Sequence, residues 1–398
     1  MAELKPGWRR VKFGDVVRLN KETCKDPEAE GIERVLGLEH LEPGDLRIRT
    51  WGYVADGTTF TNRVRPGQVL FGKRRAYQRK VALVDFEAVC SGDIYVLESA
   101  DADRLNPQLL PFICKTDAFF EHAVGTSAGS LSPRTNWKSL AEYEFMLPPI
   151  DEQYRLARLC SSLEAVSQSC KYACDRLEEA FRSSLRTHMS AGIGELPEMP
   201  NGRMHLDGNW RVSALGEIAI VQRGMFSHRP RNLPEFFGGR YPFAQTGDVA
   251  ESRGYLGRPS QALSEQGKAY SKSFPANSIL ISIAAVIGAT AITKEETWCP
   301  DSVVGIIPDP KQVDVRFLEY QLRALRPRLD GIEATQTAQK NINLQVLRPL
   351  PILLPSPERQ KEIVKQMQAI ESQLEKLRRR GAGAANLISS VISEMDQA

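Results

Sequence analysis

The chain repeats itself, and that constrains its fold more than any single motif. "GWRRVKFGDV" near the start is answered by "NWRVSALGEI", so that Trp8 pairs with Trp210 and Gly14 with Gly216, each 202 residues on. "RPGQVLF" is answered by "FPANSILI", which pairs Pro66 with Pro275, and "VCSGDIYVL" by "WCPDSVVGI", which pairs Cys90 with Cys299; both offsets are 209. "NWKSLAEYEFMLPPIDEQYRL" then aligns with "NLQVLRPLPILLPSPERQKEI", where Gln153 meets Gln360 at an offset of 207. Matches in this order and at nearly constant offset indicate a tandem duplication of a unit of about 200 residues.

Each unit divides in two. Its first part has short runs of Val, Ile, Tyr and Phe broken by Gly, Pro and Asp, the pattern of a mainly β, α+β globular domain. A helical segment is expected within it, for example "LNPQLLPFICKTDAFFEHA". The second part opens at a Leu-Pro boundary, where a proline costs a helix nothing because the first N–H groups are unpaired anyway. Asp151 and Glu152, or Glu358, then favour the positive end of the helix dipole.

Beyond these boundaries apolar residues recur at alternating three and four: Leu156, Leu159, Leu163, Val166, Cys170, Ala173 and Leu177 in the first, Ile363, Met367, Ile370, Leu374, Leu377, Ala384 and Ile388 in the second. That is the heptad signature of a seam seeking another helix. Each helix spans ~37 residues, hence ~55 Å, and two in one chain suit an antiparallel coiled-coil pair relating the domains by an approximate two-fold. Gly381 and Gly383 are expected to fray or bend the second, since glycine is ~1 kcal/mol worse than alanine in a helix. The expected boundaries are 1–147 and 208–354 for the globular domains, 148–189 and 355–396 for the helices, and 190–207 for the linker.

"GQVLFGKRRAYQRK" (67–80) matches all but the last position of a nucleotide-binding P-loop. A P-loop needs Ser or Thr after its lysine and a small flexible loop around phosphate. Here Arg74 follows Lys73, and "QVLF" is an apolar, strand-like run shared with "SILI" of the second half, so the match is accidental. Two readings remain, a solvated turn and a nucleic-acid contact. In the second, Lys73, Arg74, Arg75, Arg79 and Lys80 neutralise phosphates, Tyr77 stacks, and Gln78 offers a bidentate amide for adenine. "GTSAGSLSPRTN" with Arg134 and "TQTAQKN" with Lys340 occupy matching places before the last segment of each domain and read either as phosphate contacts or as plain polar loops. "SHRPR", with Arg229 and Arg231, reads either as a basic contact loop or as a surface turn.

Other chemistry is missing. The sequence has no N-P-P-[FY] or F-x-G-x-G of a methyltransferase, no H-E-x-x-H and no G-x-S-x-G, and its five histidines are not clustered. Cys170 and Cys174 share a helix face, which reads as seam packing and not as a metal site. Seven cysteines at irregular spacing make no disulfide framework, and no secretion signal is legible, so a reducing cytoplasm is expected. A formal charge of +3 is too mild to announce a nucleic-acid partner by itself.

The whole order, from Trp8-Arg9 through "PGQVLF", "CSGDIYVL" and "MLPPIDEQYRL" to the heptad helix, then again through Trp210-Arg211, "PANSILI", "CPDS" and "LLPSPERQKEI", resembles the DNA-specificity (S) subunit of Type I restriction-modification systems. The specific part is the Pro-x-x-x-Glu-Gln helix start, present twice, although the second reads Glu358-Arg359-Gln360. The resemblance implies two target-recognition domains, each reading one half of a split sequence in double-stranded DNA. It implies helices that set the spacing and dock two methyltransferase subunits, with Leu156, Leu163, Leu177, Ile363, Ile370 and Leu374 in that helical surface. It also implies a chain with no catalytic residue, metal or bound cofactor of its own. S-adenosylmethionine and ATP then belong to partner modification and restriction subunits. The rival from another class is a coiled-coil scaffold whose two β-rich domains bind proteins.

Overall fold

A computed structural model describes residues 5–189, 204–206, 210–332 and 343–395. The chain forms two compact α+β units, one made of residues 1–174 and 376–398, the other of 175–375.

In the first unit, β1 (Val17–Leu19), β2 (Val69–Gly72), β3 (Val81–Leu83) and β4 (Ile94–Ser99) form an antiparallel sheet in the order β1-β4-β2-β3. Val69 lies opposite Leu97 and Val17 opposite Ser99. A second sheet runs Gly52–Tyr53, Arg34–Leu36, Ala88–Cys90, Asn62–Val64, its two middle strands parallel. Both faces of β2 are buried, which is why "VLFG" reads as a continuous apolar run. The residues between the two glycines of the near-P-loop are therefore a core strand. Phe13, Phe71, Phe119 and Phe145 meet in the main core, and helix α1 (Asp117–Gly125) closes it. The expected helical segment after Asn106 is two short helices, Leu110–Ile113 and α1, parted where the Thr116 side chain accepts from the Phe119 N–H and caps the second.

The second unit follows the same order of strands, with one strand, Gly254–Tyr255, added at the sheet edge. β5 (Ala219–Arg223), β6 (Gly254–Tyr255), β7 (Ile279–Ser282), β8 (Thr290–Ile292) and β9 (Val303–Pro308) make a sheet ordered β5-β9-β7-β8-β6. Its companion sheet runs Gln261–Leu263, Phe237–Phe243, Thr297–Cys299, Lys272–Phe274, again with the middle pair parallel.

Two long helices, α2 (Ile150–Met189) and α4 (Pro357–Ser393), each begin in one unit and end in the other. Within the first unit Leu156, Cys160 and Leu163 pack with Ile388, Val391, Ile392 and Met395, while Cys170 faces Gly381, so the helices run antiparallel there. Within the second unit Phe181 and Leu185 share a core with Ile363, Met367 and Ile370. Leu374 is buried and Leu177 half-buried. The heptad reading needs one correction: Leu159 is 46% exposed, and Cys160 takes the inner place. The reason is that α2 faces two partners, so its buried face is wider than one seam: Gln153 is bonded to the globular domain, Ala157 and Cys160 lie in the core that the domain and α4 share, and Cys170 faces α4.

The expected break at Gly381 and Gly383 does not occur; α4 is unbroken through both. A Cβ at Gly381 would stand 3.2 Å from the Cβ of Cys170, so the glycine serves close helix approach, and packing outweighs its weak propensity. All seven cysteines are buried, and none is in a disulfide.

The repeated Gln explains the helix-start motif. The Gln153 side chain, 1% exposed, donates to the carbonyls of Pro148 (2.9 Å) and Arg104 (3.0 Å) and accepts from the Asn106 N–H (2.9 Å). Gln360, 2% exposed, donates to Pro355 O (3.1 Å) and accepts from the Asp314 N–H (2.9 Å). Each amide thus ties the first turn of a long helix to the chain leaving the sheet, and no shorter or charged side chain supplies both a donor and an acceptor there. Trp8 adds a bond from Nε1 to Glu152 at 3.0 Å.

Buried charge anchors the rest of each helix. In the first unit the Asp45 carboxylate, 2% exposed, accepts from Arg49 and from Gln168 of α2, each at 2.8 Å. In the second, the buried Glu319 of α3 (Val315–Ile332) pairs with Arg316 at 3.0 Å and Arg323 at 2.7 Å, and Glu371 of α4 binds both arginines and the Tyr320 hydroxyl. Breaking such a network by removing one member costs ~3–5 kcal/mol, because a charge stays buried alone.

Candidate nucleic-acid interface

The hairpin that joins β2 to β3 carries the basic stretch. Arg75 and Arg79 both take left-handed backbone (φ 55° each) on either side of a single 3-10 turn at Ala76–Gln78. That geometry lifts Tyr77 to 55% exposure.

Structure separates the five cations that sequence treats alike. Lys80 donates from Nζ to Leu38 O at 2.7 Å, and Lys73 Nζ lies 4.8 Å from the Tyr95 ring centre. Arg79 pairs with Asp117 at 2.6 Å and covers Phe120. Arg74 reaches Asp93 at 3.3 Å and Ser132 Oγ at 3.2 Å. Among the described residues Arg75 has no carboxylate partner, and its Nε is buried without an acceptor. Among the described residues, the polar side chains of this hairpin with no ion pair, hydrogen bond or ring contact are Arg75, Tyr77 and Gln78, of which Tyr77 is exposed and the others half-buried.

The segment "GTSAGSLSPRTN", distant in sequence, lies against this hairpin. Arg74 and Arg134 form a β-bridge, the Arg75 N–H donates to Pro133 O (2.7 Å), and the Thr135 N–H donates to Lys73 O (3.0 Å). Arg134 places Nε 2.8 Å and Nη2 3.4 Å from the two Asp93 oxygens. Its guanidinium, with a smaller contribution from Arg74, holds the Asp93 carboxyl below the usual carboxylate range. Lys73, Arg74, Arg75 and Arg134 therefore share one surface. Leu131 at the loop tip is 90% exposed.

The second unit repeats the device with other residues. Arg231 Nη2 lies 2.5 Å and Arg229 Nη2 3.7 Å from the Asp301 carboxylate. Burial pushes that carboxyl up, but the bond from Arg231 and the charges of Arg223 and Arg229 outweigh it, and the net shift is down. Asp93 stands immediately before β4 and Asp301 two residues before β9, the corresponding strand. Gly224 lets the arginine loop leave β5 against this turn, since a Cβ there would meet Pro300 O at 2.3 Å. Lys340 lies outside the described residues.

Sequence reading missed Asp93, Asp301 and Leu131. The aspartates lie inside the shared "CSGD" and "CPDS" stretches and were legible only as turn residues. Among the described residues no His, Cys, Asp or Glu cluster suited to a metal is present, and no helix is long and apolar enough to cross a membrane. The first hairpin and the two arginine loops carry donors and positive charge, which suits contact with an anionic polymer.

Residues 207–381 match the family model described as Type I restriction modification DNA specificity domain. Over 94% of the chain and 89% of the relative, the sequence is 21% identical to the putative type I restriction enzyme MjaX specificity subunit of Methanocaldococcus jannaschii. A stretch covering 41% of the chain is 26% identical to 39% of the type I restriction enzyme EcoDI specificity subunit of Escherichia coli. In fold, the chain is similar to the Type-I restriction-modification system S subunit from M. genitalium, with a TM-score of 0.63 at 13% identity, covering 98% of this chain and 97% of the other. A chain from a structure on assembly and conformational transition of the type I R-M system gives 0.52 at 20% identity, covering 99% and 98%.

Proposed function

We propose that this chain, which resembles the specificity subunits of type I restriction-modification systems, is the non-catalytic DNA-reading subunit of such a complex. Each globular domain reads one half of a bipartite target in double-stranded DNA. The long helices set the spacing of the halves, with the seam through Leu156, Leu163, Leu177, Ile363, Ile370 and Leu374, and dock two methyltransferase subunits. Restriction and translocase subunits then join in the cytoplasm. Methyl transfer from S-adenosylmethionine and ATP-driven steps belong to these partners.

The observation that carries the reading is the arginine pair held by a carboxylate at the same turn of two units with the same sheet order. Exposed guanidinium groups supply salt-dependent attraction to phosphate and a planar fork for base edges. Because the loops differ in residues and length, the two half-sites differ. If the two units read one face of the duplex, the half-sites fall about one helical turn apart, ~34 Å.

Methylome sequencing of a host carrying this chain with its modification partner tests the reading. A methylated motif in two parts is expected. A single unbroken motif, or no new motif, refutes it.

A further inference from the structure

Arg134 is held more tightly than a phosphate contact requires. Its backbone is fixed from both sides, by reciprocal bonds with Ala128 (2.9 and 3.0 Å) and by the bridge to Arg74. Its side chain gives the Nε and Nη2 edge to Asp93, which leaves the Nη1 and outer Nη2 hydrogens facing outward from a side chain 51% exposed. Asp93 is only 20% exposed, and its own N–H is tied to Ser91 Oγ at 3.2 Å.

Two arguments decide what this arrangement suits. A guanidinium anchored along one edge has already lost the rotamer freedom that binding would otherwise cost, so its free edge is preorganised for planar, two-bond recognition. The Asp93 charge also opposes a phosphate: it sits beside both Arg74 and Arg134 and cuts their combined charge from two to one. It does not oppose a neutral base edge. A pair meant only for the backbone would do better without it.

Resting on the function proposed above, we infer that Arg134 reads a guanine, its outward edge donating to O6 and N7 in the major groove, and that Asp93 is its positioning residue. Arg231 is held by Asp301 at the matching turn of the second unit, there through Nη2 alone.

The test uses the full chain assembled with its methyltransferase subunits and a pool of duplexes of random sequence, with bound DNA sequenced at several salt concentrations. Wild type is expected to enrich a two-part motif. Arg134→Lys keeps the charge but loses the fork, so preference for guanine should fall roughly 5- to 150-fold at one position of one half, with the salt dependence unchanged. Asp93→Asn should relax the same position and steepen the salt dependence, because a neutralising charge has gone. A merely structural Asp93 would instead lower the active fraction across all positions alike. The inference is overturned if Arg134→Lys leaves every position intact, or if Asp93→Asn relaxes positions that Arg134→Lys does not. If wild type enriches no motif, the functional reading itself fails and takes this inference with it.

Discussion

Replacing Gln153 by Leu removes the tie between the first turn of α2 and the segment leaving the sheet, and its cost follows from the bonds counted there. The amide makes three hydrogen bonds, to Pro148 O, Arg104 O and the Asn106 N–H, from a side chain 1% exposed. Leu keeps most of the volume but satisfies none of these groups. At ~1 kcal/mol net per bond, with more for a buried N–H left unpaired, the loss is about 3 kcal/mol. Gln360 makes two such bonds, so Gln360→Leu should cost about 2 kcal/mol. Amide hydrogen exchange read by mass spectrometry resolves the two sites, because it reports local opening as well as global unfolding. In Gln153→Leu, exchange across residues 104–110 should quicken by about two orders of magnitude, which is what 3 kcal/mol means, while residues 312–318 stay protected. Gln360→Leu should show the reverse pattern with the smaller change. A loss under about tenfold at the local segment, or an equal loss in both units, would refute the latch.

The two glycines of α4 give a paired test: Gly383→Ala should stabilise by about 0.5–1 kcal/mol, since a Cβ there meets open space, whereas Gly381→Ala should gain nothing because its Cβ crowds Cys170. Thermal unfolding of the two variants separates them, and equal gains would contradict the close approach. Arg75→Ala should lower the salt slope of duplex binding by about 0.9, with no loss of thermal stability. Arg79→Ala should change stability by less than ~1 kcal/mol, since its ion pair with Asp117 is exposed. Asp93 has a depressed carboxyl, so its contribution is present above the unfolded value near ~3.9 and is lost as pH falls through the lower folded value. Exchange protection across residues 126–135 should therefore hold from neutral pH down to about pH 4 and fall below it, and Asp93→Asn should flatten that profile.

Most of the frame was legible because it rests on local chemistry: proline and acid at the helix starts, apolar runs for strands buried on both faces, alternating seams. The sequence offsets land on matching elements, Val17 and Ala219 opening β1 and β5, Ile94 and Val303 opening β4 and β9. At the turn before β2 and β7 the match slips by one residue. Gly67 (φ 87°) corresponds to Asn277 (φ 62°), 210 residues on, because the turn demands a left-handed residue and Asn tolerates what Gly prefers. What sequence could not show is which cations are neutralised. Asp93 and Asp117 stand 19 and 38 residues from the arginines they bind, and only folding brings them together. The same holds for Leu159 and Cys160, whose exchange of places depends on a helix having two neighbours instead of one.

The hairpin after the shared strand shows how one frame carries two different surfaces. In the first unit its left-handed positions are Arg75 and Arg79; in the second they are Ala285 (φ 62°) and Gly288 (φ 70°), following β7 as the arginines follow β2. Both hairpins use a pair of left-handed residues, but the first adds a 3-10 turn and the chemistry is replaced, cationic with an exposed Tyr77 in one unit, apolar with Val286 at 40% exposure in the other. Ala76 of the first tip and Ile283 and Ile287 of the second belong to the cores, whereas Arg75, Tyr77, Ala285 and Val286 lie outside them. These outer positions can therefore diverge at little cost in stability, whereas changes at Gln153, Gln360 or Gly224 cannot be absorbed. Among the described residues the second unit has no cationic hairpin, so on the proposed function the Arg229–Arg231 loop beside Asp301 supplies attraction to DNA there. Exchanging residues 1–147 for the corresponding part of another such subunit should then change one half of the target and leave the other; a change in both halves would mean that the units do not read independently.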